Sequence, residues 1–131
     1  MNNDAIRRSN TILYCRKWAA VVAFYRDVLA LPVHLATDWF VEFQVAGGAF
    51  VSIADEGRAS IKSTGGGGVT LSFHVGDVDA WHRRLGRLGV AVGRIRHHWG
   101  ARAFFLRDPE GHRIEIWSAA PEAPGDADEI P

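Results

Sequence analysis

The chain has 131 residues, 47% hydrophobic and 23% charged, and its fifteen basic residues balance fifteen acidic ones. This length suits one domain, and the neutral balance gives no reason to expect nucleic acid or a membrane as a partner. A single cysteine, Cys15, excludes an intrachain disulfide framework. We expect a cytoplasmic protein, because the N-terminus also lacks a signal-peptide core and no apolar run could span a membrane.

The first half of the chain predicts one helix among four strands. Residues 1–9 are polar and are expected to be flexible. Side chains alternate in character from Asn10 to Cys15, which predicts a strand. Apolar residues then recur with helical spacing up to Pro32: Val21, Phe24, Tyr25, Val28 and Leu29. Three short runs with hairpin-like gaps are predicted strands: residues 33–36, 39–45 and 49–54.

The second half repeats this order after a polar, glycine-containing linker at residues 55–68. A predicted strand at 69–75 precedes a helix that either Asp77 or Asp79 can cap and that Gly89 ends. Three further strands are predicted: residues 90–96, 103–106 and 112–117. Residues 119–131 form an acidic, proline-rich tail, which we expect to be mobile or to lie on a neighbour.

The order of elements therefore predicts an α+β fold of two βαβββ modules, residues 10–54 and 69–118. An offset of sixty residues places Asn10 beside Thr70. The two modules share little residue identity, so the repeat lies in the order of helices and strands.

The predicted hairpin from Ala103 to Trp117 is the most informative stretch. Residues 108–111, Asp-Pro-Glu-Gly, have the composition of a tight turn. In the strand beyond this turn, Arg113, Glu115 and Trp117 share one face, while two isoleucines share the other. A carboxylate between a guanidinium and an indole, opposite the core face, is a candidate functional site.

The two modules, the helix segment 23–29 and the segment 105–117 resemble the vicinal oxygen chelate superfamily. That superfamily contains glyoxalase I, extradiol dioxygenases and bleomycin resistance proteins. The resemblance covers residues 10–118 and implies an open, curved mixed sheet around a cavity, with the helices on the outer face. It also implies a homodimer that binds a small molecule.

The resemblance carries the superfamily's four metal-ligand positions to Asn10, Ser52, Thr70 and Glu115. Only Glu115 is a usual ligand, because imidazole and carboxylate groups hold such metals. His74 shares a strand face with Thr70 but lies roughly 13 Å away at about 3.3 Å per residue, too far to replace it. No cofactor is therefore expected, and the sequence disfavours a divalent metal.

The candidate site combines catalytic and ligand-binding residues. Glu115 is a general base, a ligand-binding carboxylate or an ion-pair partner, and His74 is a proton-transfer group or a solvated residue. The aromatic candidates suit a ligand cavity and a dimer interface equally. The predicted ligand-binding residues are Asn10, Tyr14, Trp39, Phe50, Ser52, Thr70, Ser72, Trp99, Arg113 and Trp117.

The leading hypothesis is a metal-independent protein that binds an aromatic or amphipathic small molecule, similar to bleomycin resistance proteins. Residues 99–109 look like the corresponding segment of those proteins. The alternative is a lyase, isomerase or dioxygenase that uses a metal, or Glu115 with His74 or Tyr14 as acid and base. A third hypothesis is an accessory domain that binds a protein partner through its sheet.

Overall fold

The computed structural model describes residues 3–120, apart from the side chain of His98. The predicted tail lies outside the described residues from position 121 onward. The chain divides into two compact units between Gly66 and Gly67. Within the described part of the chain, no helix is long and apolar enough to cross a membrane.

The first module contains four strands, an α-helix and a π-helical turn. Its sheet has the order β1-β4-β3-β2, in which β1 and β4 are parallel and the other neighbours are antiparallel. The elements are β1 (Ser9–Cys15), α1 (Trp18–Ala23), the π-helical turn (Phe24–Val28), β2 (Val33–Ala36), β3 (Phe40–Ala46) and β4 (Ala49–Asp55).

Alternation along the strands and helical spacing along α1 produce the core of this module. The fully buried side chains include Tyr25, Phe43 and Ile53, in agreement with the predicted apolar stripe and strand faces. The indole N–H of Trp18 donates to the carbonyl oxygen of Ile53 at 2.9 Å, which ties the start of the helix to β4. This bond satisfies the one polar atom of a large aromatic side chain.

The second module repeats the arrangement with the sheet order β5-β8-β7-β6. The first and last strands, β5 and β8, are again parallel, and the other neighbours are antiparallel. The elements are β5 (Thr70–His74), α2 (Val78–Arg87), β6 (Arg96–His98), β7 (Ala101–Arg107) and β8 (Arg113–Ala119). The predicted α+β class and the two βαβββ modules are confirmed.

The ends of α2 match the sequence signals. Asp77 is the N-cap, and its side chain accepts a hydrogen bond from the backbone N–H of Ala80 at 3.0 Å. Asp79, the other predicted cap, instead forms an ion pair with Arg102. Gly89 follows the helix with φ of +81°, the left-handed conformation expected after a helix end.

The predicted strand at 90–96 is wrong, because β6 begins only at Arg96. The segment before β6 is held by two hydrogen bonds, and it lacks the regular backbone hydrogen bonds of a strand. Gly93 donates its N–H to the carbonyl oxygen of Phe105 at 2.9 Å, and His82 Nε2 donates to the carbonyl oxygen of Gly93 at 2.9 Å. A Cβ at position 93 would lie 3.3 Å from the Phe105 oxygen, so this close approach suits glycine. His97 lies in β6.

Asp108 organises the turn between β7 and β8. Its buried carboxylate accepts hydrogen bonds from the backbone N–H groups of Glu110, Gly111 and His112 at 2.9, 3.0 and 3.0 Å. The same side chain contacts His112 Nδ1 at 2.8 Å. The predicted tight turn is confirmed, and His112 has a structural role within it.

Replacing the Asp108 carboxylate should destabilise the protein strongly. We expect Asp108→Ala to lower the free energy of unfolding by about 2–4 kcal/mol, because three backbone donors and an imidazole lose their acceptor. Urea denaturation at neutral pH measures this loss. Asp38→Ala, at an exposed carboxylate, is the control and should change the value by less than about 0.5 kcal/mol. An equal effect of the two substitutions would contradict this account of the turn.

Candidate functional site

The structure brings some of the predicted site residues together in two polar clusters, one in each module. In each sheet, one strand face contributes apolar side chains to the core, and the other face carries the polar cluster. We call them the first cluster, formed by Arg8, Asn10, His34, Glu42 and Ser52, and the second cluster, formed by Thr70, Ser72, Arg113 and Glu115.

Glu42 is the centre of the first cluster. This residue is only 7% exposed, and its carboxylate accepts hydrogen bonds from three side chains. Oε2 lies 2.8 Å from Arg8 Nη2 and 2.6 Å from His34 Nδ1, while Oε1 lies 3.2 Å from Asn10 Nδ2. A buried carboxylate requires such partners, because leaving water without them would cost several kcal/mol, on the order of 5.

The remaining members complete the cluster and give it an aromatic wall. Ser52 donates its hydroxyl hydrogen to Asn10 Oδ1 at 2.8 Å, so both ends of the Asn10 amide group are engaged. The Phe50 ring lies beside them, with its centroid 5.0 Å from that of His34 and 4.0 Å from Arg8 Cζ. Asn10, Phe50 and Ser52 were predicted as site residues, and the structure brings them together.

Opposing effects act on the pKa of Glu42. Burial raises the pKa of this carboxyl group, but hydrogen bonds and charge from Arg8 and His34 lower it, and the net pKa lies below its ordinary value of 4.5. Glu42 is therefore ionised at neutral pH and forms a charge pair with Arg8.

Sequence reasoning missed Arg8, His34 and Glu42. Arg8 belongs to the segment that was expected to be flexible, yet it contacts both Glu42 and Phe50. The sequence did contain one signal of this cluster: Glu42 is the one charged residue within the largely apolar strand β3. A carboxylate inside a buried strand predicts a paired charge, although the identity of its partners depends on the sheet register.

Two side-chain contacts define the second cluster. Ser72 donates its hydroxyl hydrogen to Glu115 Oε1 at 2.5 Å, and no residue within 3–120 donates to Glu115 Oε2. Arg113 Nε donates to Thr70 Oγ1 at 2.9 Å, and its guanidinium lies over the Phe105 ring, 4.6 Å from the centroid. The cluster therefore places a carboxylate and a guanidinium on one sheet face.

An open groove of about 500 Å³ adjoins the second cluster. The irregular segment after α2, which had been predicted as a strand, contributes two of the apolar residues that line it. The lining residues are Val90, Ala91, Phe105, Leu106, Arg107 and Arg113. The groove combines an apolar surface with the side chains of two arginines, which suits an amphipathic ligand.

The other predicted residues lie outside these contacts. His74 stacks on Trp117 with ring centroids 4.1 Å apart, on the same strand pair as Ser72 and Glu115. Among the described residues, no hydrogen bond or ring contact joins Tyr14, Trp39 or Trp99 to either cluster: Tyr14 is half-buried in β1, Trp39 contacts Phe40 at 5.5 Å, and Trp99 is 70% exposed in the turn between β6 and β7.

The residues at the four superfamily metal positions do not fit a divalent metal. The Asn10 amide group is engaged by Glu42 and Ser52, and Thr70 accepts a hydrogen bond from a guanidinium, whose positive charge opposes a bound cation. Within residues 3–120, no group of three or more His, Cys, Asp or Glu side chains is arranged to hold a metal ion. Glu115 is the only carboxylate among the four positions.

Comparison with known proteins agrees with the fold. The family model for the Glyoxalase/Bleomycin resistance protein/Dioxygenase superfamily matches residues 8–116. The structure of lactoylglutathione lyase from Agrobacterium tumefaciens is similar, with 29% identity and a TM-score of 0.71, over 89% of this chain and 95% of that one. Comparison with curated proteins gives no significant match.

Two further solved structures share the fold at lower identity. TnmS3, an antibiotic binding protein from Streptomyces sp. CB03234, has 17% identity and a TM-score of 0.76, over 91% of this chain and 100% of that one. Oxidase ChaP-H2 has 24% identity and a TM-score of 0.68, over 87% of this chain and 94% of that one. These neighbours carry different activities, so the fold alone does not assign one.

The first cluster should make folding stability depend on acidic pH. Because the folded-state pKa of Glu42 lies below 4.5, its ionised carboxylate contributes stability above pH 4.5. That contribution is lost as the pH falls through the lower, folded-state value. We therefore expect the stability difference between the wild type and Glu42→Gln to shrink as the pH falls below 4.5. Urea denaturation across the acidic range measures it, and a difference independent of pH would contradict this.

Proposed function

Because the chain belongs to the Glyoxalase/Bleomycin resistance protein/Dioxygenase superfamily, we propose that it binds an aromatic or amphipathic small molecule in the groove of its second module, without a metal. The observation that carries this proposal is the groove of about 500 Å³ beside the second cluster, a size within the range of ligand pockets. A structural neighbour that is an antibiotic binding protein supports binding without implying the same ligand.

The polar groups of the groove and of the adjoining second cluster define the ligand further. Arg113 Nε donates a hydrogen bond to Thr70 Oγ1. No residue within 3–120 accepts a hydrogen bond from the two terminal nitrogens of Arg113. Those nitrogens can donate to a carboxylate, sulfonate or carbonyl group of a ligand whose ring packs against Phe105 and Val90. Glu115 Oε2 can accept a hydrogen bond from a hydroxyl or amine.

The chemistry of the donor set supports metal-independent binding. A hydroxyl group at Thr70 and an engaged amide at Asn10 replace the imidazole or carboxylate ligands that a divalent metal prefers. The positive charge of Arg113 suits an anionic or acceptor group of the ligand instead.

The assembly that we propose is a homodimer in the cytoplasm. Trp99, which is 70% exposed in the turn between β6 and β7, supports an interface between chains, because tryptophan is enriched where chains associate. The single, buried Cys15 suits a reducing compartment.

Substitution of Arg113 tests the binding proposal. The probe is anilinonaphthalene sulfonate, an aromatic anion that fluoresces in apolar surroundings. We expect one dye molecule per chain and a dissociation constant about tenfold higher for Arg113→Gln, since a charge-assisted hydrogen bond is lost. Fluorescence titration and equilibrium dialysis measure affinity and stoichiometry.

Two controls accompany this titration. Arg83→Gln, at an exposed arginine of α2 that does not line the groove, should bind the dye as the wild type does. Removal of metals with a chelator should leave the affinity unchanged. Equal binding of the dye by both arginine variants would contradict the proposed site. Metal independence would be contradicted if chelation abolished binding and a divalent metal restored it.

An enzymatic function is the second candidate, favoured by the unengaged Oε2 of Glu115 in the second cluster. In that case Glu115 would remove a proton from a carbon next to a carbonyl group. Deuterium exchange into dihydroxyacetone, followed by NMR, should then be faster with the wild type than with Glu115→Gln, while the exposed-site control Asp27→Asn retains the rate. Exchange that survives Glu115→Gln would exclude this role.

A further inference from the structure

We propose that His34 and Glu42 form a second site, in the first module, where His34 Nε2 takes the proton of a phenolic hydroxyl group on a bound ligand. Neither residue lines the groove described above. The proposal therefore goes beyond ligand binding in the second module, and it depends on the first cluster alone.

The contact between the two side chains fixes the tautomer of the imidazole. His34 Nδ1 lies 2.6 Å from Glu42 Oε2. An ionised carboxylate only accepts hydrogen bonds, so Nδ1 must carry the hydrogen that fills this contact. In neutral His34, the lone pair is then on Nε2, and this nitrogen is the one that can accept a proton.

Glu42 is held so that it can support a protonated imidazole. Its two oxygens accept hydrogen bonds from Arg8 and Asn10 as well as from His34, which fixes their positions. A lowered pKa keeps this carboxylate charged at neutral pH. An imidazolium formed at His34 would therefore lie against a permanent negative charge.

A ligand can reach His34 Nε2. The His34 side chain is 48% exposed, and no residue within 3–120 forms a hydrogen bond with Nε2. A hydroxyl oxygen at about 2.8 Å from this nitrogen would have ordinary hydrogen-bond geometry. The charged groups that face His34 are Glu42 on β3 and Arg8 before β1.

The surroundings of His34 favour a phenol over an aliphatic alcohol. Phe50 supplies an aromatic wall with its centroid 5.0 Å from the imidazole, and Arg8 supplies a positive charge over that wall. Phe50 is only 7% exposed, so the ring of a ligand would stack on the half-exposed guanidinium of Arg8 while its oxygen faces His34. A phenol, with a pKa of about 10 in tyrosine, lies far closer to imidazole in acidity than an aliphatic alcohol does.

The proposed step balances in atoms and charge. The O–H bond of the phenol breaks, its electron pair stays on oxygen, and the proton forms a new bond to Nε2. In the starting state that we propose, the imidazole of His34 carries no charge, and the charges of Arg8 and Glu42 cancel each other. After it, the imidazolium balances the phenolate, so the site stays neutral overall and no further reactant is needed.

Absorption spectroscopy with para-nitrophenol tests the proposal, because the phenolate of this probe is yellow and the phenol is not. At a pH where the free probe is mostly protonated, we expect wild-type protein to increase the phenolate band. His34→Gln should abolish the increase, whereas His97→Gln, at an exposed histidine of β6, should retain it. Probe bound only as the phenol, probe that does not bind, or a band that survives His34→Gln would overturn the proposal.

Nitrogen NMR supplies a second test that needs no ligand. The chemical shifts of the two imidazole nitrogens should show His34 as the Nδ1–H tautomer in the wild type and a shift toward Nε2–H in Glu42→Gln. An Nε2–H tautomer in the wild type would overturn the proposal. Since dye binding in the groove is measured with Arg113→Gln, failure at one site is distinguishable from failure at the other.

Discussion

A carboxylate that is removed from water must find hydrogen-bond donors, and this constraint shapes the polar face of the first sheet. Glu42 meets it with Arg8, Asn10 and His34, which come from the segment before β1, from β1 and from β2. Because Ser52 on β4 then bonds to Asn10, all four strands of the sheet are joined through side chains as well as through their backbones. The cluster thus ties the strands together through side chains on the polar face of the sheet.

The same constraint affects the residues at the superfamily's metal positions. Positions that would hold a metal instead hold amide and hydroxyl groups, and these bond to charged neighbours: Asn10 to Glu42, and Thr70 to Arg113. Each cluster contains one carboxylate and one guanidinium, so each is close to neutral without a bound cation. Neutral surfaces with directional donors and acceptors favour the recognition of a polar organic molecule over the capture of a metal ion.

The parts of the fold that the sequence predicts are those set by local chemistry. Alternation identifies β1 and β4, Asp77 and Gly89 mark the ends of α2, and the turn at Asp108 follows from its composition. The strand predicted before β6 is wrong because alternating apolar residues also occur in irregular segments. Here the segment is held by an isolated hydrogen bond from Gly93 to Phe105. That outcome depends on tertiary neighbours, which periodicity does not report.

The candidate site was predictable to a similar degree. Two of the predicted site residues, Ser72 and Glu115, are joined by a hydrogen bond, and Phe50 and Ser52 share a face of β4. The centre of the first cluster was missed because Arg8 and Glu42 meet across thirty-four positions of sequence, and a bulge in β2 shifts the register that brings His34 to Glu42. A short strand with a bulge does not reveal its facing residues from alternation alone.

The pairing of the first strand of each module with its last has a consequence for the order of folding. Ser9 lies opposite Ala49, and Thr70 lies opposite Arg113, so neither parallel pair can form until nearly the whole module is available. The antiparallel pairs close much shorter loops, and loop-closure entropy favours their formation first. A ribosome would therefore release β1 long before its partner strand exists, and completion of the ladder with β4 is the event that closes the first module.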